Sequence, residues 1–164
     1  MDNTATDFVD VRERASGLGL TLTSELAILP RHFETAISAA ELAHEAEAST
    51  VRKLLNAAGL EAQQLEPGGR PLPIVVQKSA DWISPTIFVG SMLLSQNPLA
   101  IQLALNVLGS YIADLFKGTR CGGDVELTFV VEQTRTRRCR RVVLKCPVSG
   151  VKDLEPVLRR LLDE

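Results

Sequence analysis

Aromatic side chains are scarce in this chain: one Trp, one Tyr and five Phe among 164 residues, 4% in all. A core must therefore be built from Leu, Val, Ile and Ala. The lack of rings also argues against a stacking platform for single-stranded nucleic acid. Histidine is nearly absent, with only His32 and His44. The three cysteines, Cys121, Cys139 and Cys146, are odd in number and show no CxxC spacing. Neither a disulfide framework nor a thiolate zinc site is indicated. There is no GxxxxGKS or GxxxxGKT phosphate loop, no strand–GxGxxG–helix, no GxSxG and no HExxH. The opening residues, MDNTATDFVD, carry three acids and no basic residue. No apolar run follows them, so no secretory signal is visible and the expected location is cytoplasmic.

What is present is an ordinary globular composition. Hydrophobic residues make up 45% and charged residues 23%, with a net charge of −2. That composition and length fit one domain spanning 1–164, with enough apolar residues for a single core. Leu18, Leu20 and Leu22 alternate with Gly19 and Thr21 as a strand would, and Leu26–Leu29 continues that strand or forms a second one. Residues 31–59 are rich in Ala, Glu and Leu and predict one helix, or two divided at Ser49-Thr50, stopping at Gly59. Residues 60–71 predict a loop and 72–77 a buried strand.

From Trp82 to Ala113 there is no Asp, Glu, Lys or Arg, a run of 32 uncharged positions. Asn97-Pro98 divides it into two predicted helices, 83–95 and 98–117. The second carries a weak polar stripe of Gln102, Asn106, Ser110 and Asp114. Residues 118–123 predict a loop. Residues 124–133 alternate, with Val125, Leu127, Phe129 and Val131 on one face and Glu126, Thr128 and Glu132 on the other. Residues 140–146 predict the return strand of a hairpin, with Cys146 in phase with Val142 and Leu144 and Cys139 on the opposite face. Leu154, Val157, Leu158, Leu161 and Leu162 form the apolar stripe of a last helix, with Asp153 as its cap and Pro156 in its first turn. The expected fold is α+β: a mainly antiparallel sheet of four to five strands, packed with an Ala-rich helix, two uncharged central helices and a C-terminal amphipathic helix.

Two features stand out as candidate contacts. Arg135, Arg137, Arg138, Arg140, Arg141 and Lys145 place six basic side chains within eleven residues at the hairpin. Such a ribbon suits an acidic protein surface, anionic lipid or phosphate, or simply shields a strand edge. The uncharged run suits a core, a subunit interface or a membrane surface. Its candidate contact residues are Trp82, Ile87, Phe88, Met92, Leu103, Val107 and Tyr111.

Chemistry-bearing pairs are few. Glu41 and His44 stand three apart, half of a helical metal site without its second half. Cys121 lies near Lys117 and Arg120 but has no histidine close in sequence to act as base. No catalytic residue, metal or cofactor is expected.

The order of elements, an uncharged helical middle, then Val125–Val131, Arg140–Leu144 and the closing Leu154–Leu162 helix, is similar to that of small accessory proteins beside effectors in bacterial conflict systems. The resemblance implies an accessory role and transfers no functional residue. The expected function is a non-catalytic interaction or assembly module. Its partner is a protein or a second copy, met through the uncharged helices and the Arg-rich hairpin. The alternative is a membrane-recruited accessory protein using the same surfaces. Nucleic acid is not favoured, and no small molecule is implied.

Overall fold

The computed structural model describes residues 3–68, 70–76, 82–117, 124–136 and 138–163. The strands are β1 (Thr4–Asp7), β2 (Leu26–Leu29), β3 (His44–Glu45), β4 (Ala62–Gln64), β5 (Ile74–Val75), β6 (Trp82–Ile83), β7 (Thr86–Val89), β8 (Asp124–Glu132) and β9 (Cys139–Pro147). The α-helices are α1 (Val11–Gly17), α2 (Ala48–Ala57), α3 (Ser91–Gln96), α4 (Ala100–Leu115) and α5 (Glu155–Leu162). Short 3-10 segments occupy Ala39–Glu41 and Val148–Asp153.

The α+β class holds, but the sheet is mixed and has seven strands, where four to five mainly antiparallel ones were expected. Its order is β1-β9-β8-β7-β2-β4, with β6 also paired to β8, while β3 and β5 form a separate parallel pair. The reason lies in the connections. α2 links β2 to β4, and α3 with α4 links β7 to β8, and both strand pairs are parallel. A helical crossover brings the chain back in the same direction, where a tight turn would reverse it. The expected hairpin is present, with β8 and β9 antiparallel along their whole length. β4 and β6 have three and two residues, too few for any alternation to be read.

The predicted helix at 83–95 is mostly strand. Ile83 stands opposite Glu126 and Ile87 opposite Phe129, so four steps on β6–β7 match three on β8. The extra residue is a bulge at Ser84-Pro85, where proline is tolerated within a sheet. The Ser84 Oγ accepts from the Thr128 N–H at 3.1 Å and repairs the ladder there. Only Ser91–Gln96 of that stretch is helical, whereas α4 matches the second expected helix closely.

Other expectations change as well. The Leu18–Leu22 strand is absent. α1 occupies Val11–Gly17, capped by the Asp10 side chain accepting from the Glu13 N–H, and Leu20 makes one isolated bridge to Pro67. The helix expected over 31–59 forms only in its second half, as α2, with Gly59 at φ +93° ending it. Of the buried strand expected over 72–77, only Ile74–Val75 is strand among the described residues; Leu72 is buried, but Ile74 and Val76 are open to solvent. The final helix forms as expected, with Pro156 in its first turn, but Leu154 stands at the cap position and Asp153 makes no capping bond.

The sheet divides two cores. On one face α2, α4, α5 and the Val148–Asp153 segment bury Ile87, Val125, Leu127, Phe129, Leu105 and Leu108. On the other, α1 and the 18–42 segment bury Ala27, Leu29, Phe88, Val130 and Cys139. β8 records the asymmetry. Its first half is buried on one face only, and Val130, Val131 and Glu132 at its end are buried on both. The second layer thus covers only part of the sheet.

Candidate interaction surface

α4 is wedged between α2 and the Val148–Asp153 segment. Its inner face, with Ala100, Ile101, Ala104, Leu105, Leu108 and Ile112, is buried. Residues four apart on a helix form continuous ridges. Leu99, just before the helix, begins such a ridge, and Leu103, Val107, Tyr111 and Leu115 continue it. Leu99 is 67% exposed and Leu115 45% exposed, while Leu103, Val107 and Tyr111 are half-buried. Beside it runs the polar row Gln102, Asn106, Ser110 and Asp114, as the sequence predicted. The Gln102 amide donates to Asn106 Oδ1 at 2.8 Å and to the Lys152 carbonyl at 3.2 Å. Among the residues of α4 itself, Asp114 is the only ionisable side chain apart from the phenol of Tyr111.

The apolar candidates separate by position. Met92, Leu103, Val107 and Tyr111 reach the surface. Ile87 and Phe88 do not: they are fully buried side chains of the central strand β7, one in each core, and act as core residues. Trp82 is also buried and meets the Tyr111 ring edge-on, centroids 6.3 Å apart. Its indole N–H lies toward the Glu47 carboxylate without completing a hydrogen bond. Burial pushes the Glu47 carboxyl up, the indole opposes that, and the nearby Glu45 adds to it.

The basic candidates scatter. Arg135 and Arg138 are exposed at the hairpin turn, and Arg137 lies outside the described residues. Arg140 turns toward β1, donating to the Ala5 carbonyl at 3.3 Å and standing 4.0 Å from Asp7. Arg141 and Lys145 share the opposite sheet face, in register with Val130 and Glu126. Arg135 also lines a groove of about 700 Å³ with Leu94, Pro98, Ile101, Arg159 and Leu162, so the hairpin turn and the start of α4 share one end of the molecule.

The chain matches no protein-family model, no curated protein and no solved structure.

The Glu41 and His44 pair does not assemble into a site. Glu41 bonds its own turn, accepting from the Ile37 and Ser38 N–H groups, and does not meet His44. Among the described residues no group of three His, Cys, Asp or Glu is placed to hold a metal. Cys139 and Cys146 are buried, on opposite faces as expected, and burial raises both thiols above their ordinary range. Cys121 lies outside the described residues, as does the 118–123 loop.

His44 is 1% exposed, and its Nε2 lies 2.9 Å from the Leu65 carbonyl, so that nitrogen carries the proton and donates. Burial lowers its pKa below the ordinary 6.5. The unfolded chain then binds the proton more readily, so stability is full above about pH 6.5 and declines as pH falls below it. In His44→Gln an amide N–H replaces the imidazole donor without titrating. The stability difference between the two proteins, read from urea unfolding, is expected to shift against the wild type between pH 7 and 5.

Sequence reasoning missed one cluster. Glu132, read from the alternation as sharing a polar face with Glu126 and Thr128, is 2% exposed at the end of β8. Its Oε2 accepts from Arg12 Nε at 2.9 Å, and its Oε1 from Arg12 Nη2 at 3.0 Å, the Ser91 N–H at 3.0 Å and the Ser91 hydroxyl at 2.8 Å. Arg12 also bonds Glu25 Oε2 at 2.6 Å, and Glu25 Oε1 accepts from the Met92 N–H at 3.1 Å. Gly90 fits against this cluster because it has no side chain: a Cβ there would stand 2.6 Å from Glu25 Oε1. The cluster ties together α1, the residue before β2, the start of α3 and the end of β8.

Proposed function

We propose that the protein is a non-catalytic assembly module that self-associates through the outer face of α4, with the hairpin arginines as a second, electrostatic contact. The carrying observation is the apolar ridge from Leu99 to Leu115, which borders a polar row with one formal charge. Its geometry suits antiparallel pairing about a two-fold axis. α4 has 16 residues, so it is about 24 Å long. Asp114 lies near its C-terminus. Arg159 donates to the Pro98 carbonyl at 2.7 Å, at the opposite end. An antiparallel pair sets Asp114 of each copy beside Arg159 and the positive helix end of the other. One helix face covers less than the roughly 800 Å² per partner of a typical stable interface. A second contact is therefore needed, and that is the role assigned to Arg135 and Arg138.

Light scattering after size exclusion tests the reading. The wild type is expected as a dimer at low salt that weakens as salt screens the hairpin arginines. Val107→Asp sets an unpaired carboxylate in the contact and is expected to weaken the dimer at least about 100-fold, with the thermal midpoint of the monomer little changed. A wild-type monomer at all salt concentrations would overturn it. The membrane reading draws support from Arg135 and Arg159 flanking a groove beside exposed Leu99. No described helix is long and apolar enough to cross a membrane. That reading therefore predicts peripheral binding: a monomer in buffer that co-sediments with anionic vesicles and not with neutral ones.

A further inference from the structure

The part of the sheet that α1 and the 18–42 segment leave uncovered is a cleft of about 450 Å³. Its floor is polar, unlike the core beside it. Thr86 and Thr128 lie next to each other on β7 and β8, and both are half-buried. Arg141 and Glu126 also line it. Both project from the same sheet face, because Arg141 pairs with Val130 and Glu126 lies four residues earlier on that strand. At about 3.4 Å per residue their backbones are about 14 Å apart along β8. No ion pair joins them. The Arg141 Nε is buried without a hydrogen-bond partner among the described residues. A buried guanidinium N–H left unmatched is costly, and a ligand oxygen would relieve that cost.

The facing wall is already built. His32 holds φ +65°, the one non-glycine positive φ among the described residues. Histidine tolerates this region better than most side chains, but the geometry still stores strain. The His32 carbonyl accepts from the Thr35 N–H at 3.1 Å and the Ala36 N–H at 2.8 Å. Arg14 of α1 pins the same turn, donating to the Phe33 carbonyl at 2.9 Å and to the Ala36 carbonyl. Phe8 stacks on Phe33 with centroids 6.3 Å apart. Because these bonds are made within the protein, the wall needs little ordering when a ligand enters.

The other charges around the cleft are accounted for. Arg31 pairs with Glu45 at 3.4 Å. Lys145 stands across from Glu126 in register but is exposed and forms no ion pair with it. Glu34 is exposed on the wall. With two carboxylates on its lining, the cleft disfavours a dianion such as phosphate. We propose that it binds a small zwitterion, with the carboxylate on Arg141 and the cationic group on Glu126. The guanidinium fork matches a carboxylate in two bonds, and the threonine hydroxyls offer donors along the floor.

Isothermal titration of the full chain tests this with 6-aminohexanoate, hexanoate, hexylamine and inorganic phosphate. The zwitterion is expected to bind saturably, one per chain, and about tenfold or more tightly than either singly charged compound. Arg141→Gln is expected to reduce it to the level of hexylamine, and Glu126→Gln to that of hexanoate. Arg141→Lys keeps the charge, loses the fork and is expected to fall between wild type and Arg141→Gln. Thermal melts confirm that each variant is folded. Three results would overturn the proposal: no saturable binding of 6-aminohexanoate, binding unchanged in both glutamine variants, or tighter binding of phosphate than of the zwitterion. None of them depends on whether α4 pairs with a second copy.

Discussion

Arg12→Met is expected to destabilise the fold by about 2–4 kcal/mol, because it strands a buried carboxylate. Glu132 would keep only the two Ser91 donors. Breaking a fully buried pair costs about 3–5 kcal/mol. The expected figure is lower because the Arg12 side chain is 39% exposed and water can reach the gap. Methionine preserves much of the packing over Phe88, whose ring the guanidinium faces at 5.8 Å. The loss therefore reports charge more than volume. Glu132→Gln should cost less, since it leaves no buried charge and Arg12 retains Glu25. The double variant should recover part of the Arg12→Met loss, and a double-mutant cycle on urea unfolding measures how much.

The pH dependence separates this mechanism from a packing defect. Burial pushes the Glu132 carboxyl up, but the hydrogen bonds from Arg12 and Ser91, with the Arg12 charge, outweigh it and bring it down to about 2. A carboxyl lowered on folding adds stability that is present above its ordinary range near 4.5 and lost as pH falls through 2. In Arg12→Met burial loses its main opponent, and the carboxyl rises. Acid then relieves the variant while it weakens the wild type. The gap between the two unfolding free energies should narrow from pH 7 to pH 3. A gap that stays constant would assign the loss to packing alone.

Local periodicity made some elements readable and left others hidden. β8, β9, α4 and α5 were legible because each is long enough to repeat its pattern several times. The polar row on α4 was legible for the same reason. β7 was misread because Trp82–Ser95 lacks charged residues to mark a period, and a strand buried on both faces shows no alternation. The residues of 31–47 are good helix formers, yet the structure uses them for a turn pinned by Arg14 and a short parallel pair. Propensity there yielded to tertiary contacts. The arginines were legible as a cluster but not as directions. Alternation on β9 sends Arg140 to one face and Arg141 to the other, so one sequence patch serves two environments. Glu132 was misplaced because its face is open at Glu126 and closed two turns of the pleat later. Only knowledge of where the second layer ends could have shown that. The cleft had no sequence signal, since its wall at 29–35 and its floor at Thr86, Glu126, Thr128 and Arg141 come from segments far apart in the chain.

Leu108→Ala and Leu103→Ala together test the two-sided reading of α4. Leu108 is fully buried in the larger core, and truncating it is expected to cost about 2–5 kcal/mol, from lost burial and the cavity left behind. The Val148–Asp153 segment packs tightly on α4 at the next residue, where Gly109 lies so close to Lys152 that a Cβ would stand 2.9 Å from its Cγ. That close packing limits collapse into the cavity, which favours the upper part of the range. Leu103 is only half-buried, so its truncation should cost the monomer about 1 kcal/mol or less. It should nevertheless weaken self-association, because its side chain stands in the middle of the ridge. The pair therefore predicts a crossing of effects. Leu108→Ala lowers the urea midpoint strongly and leaves dimer affinity nearly unchanged wherever the protein is folded. Leu103→Ala does the reverse. If both variants lower stability alike and neither changes the mass of the species in solution, α4 is core on all sides and the assembly reading fails.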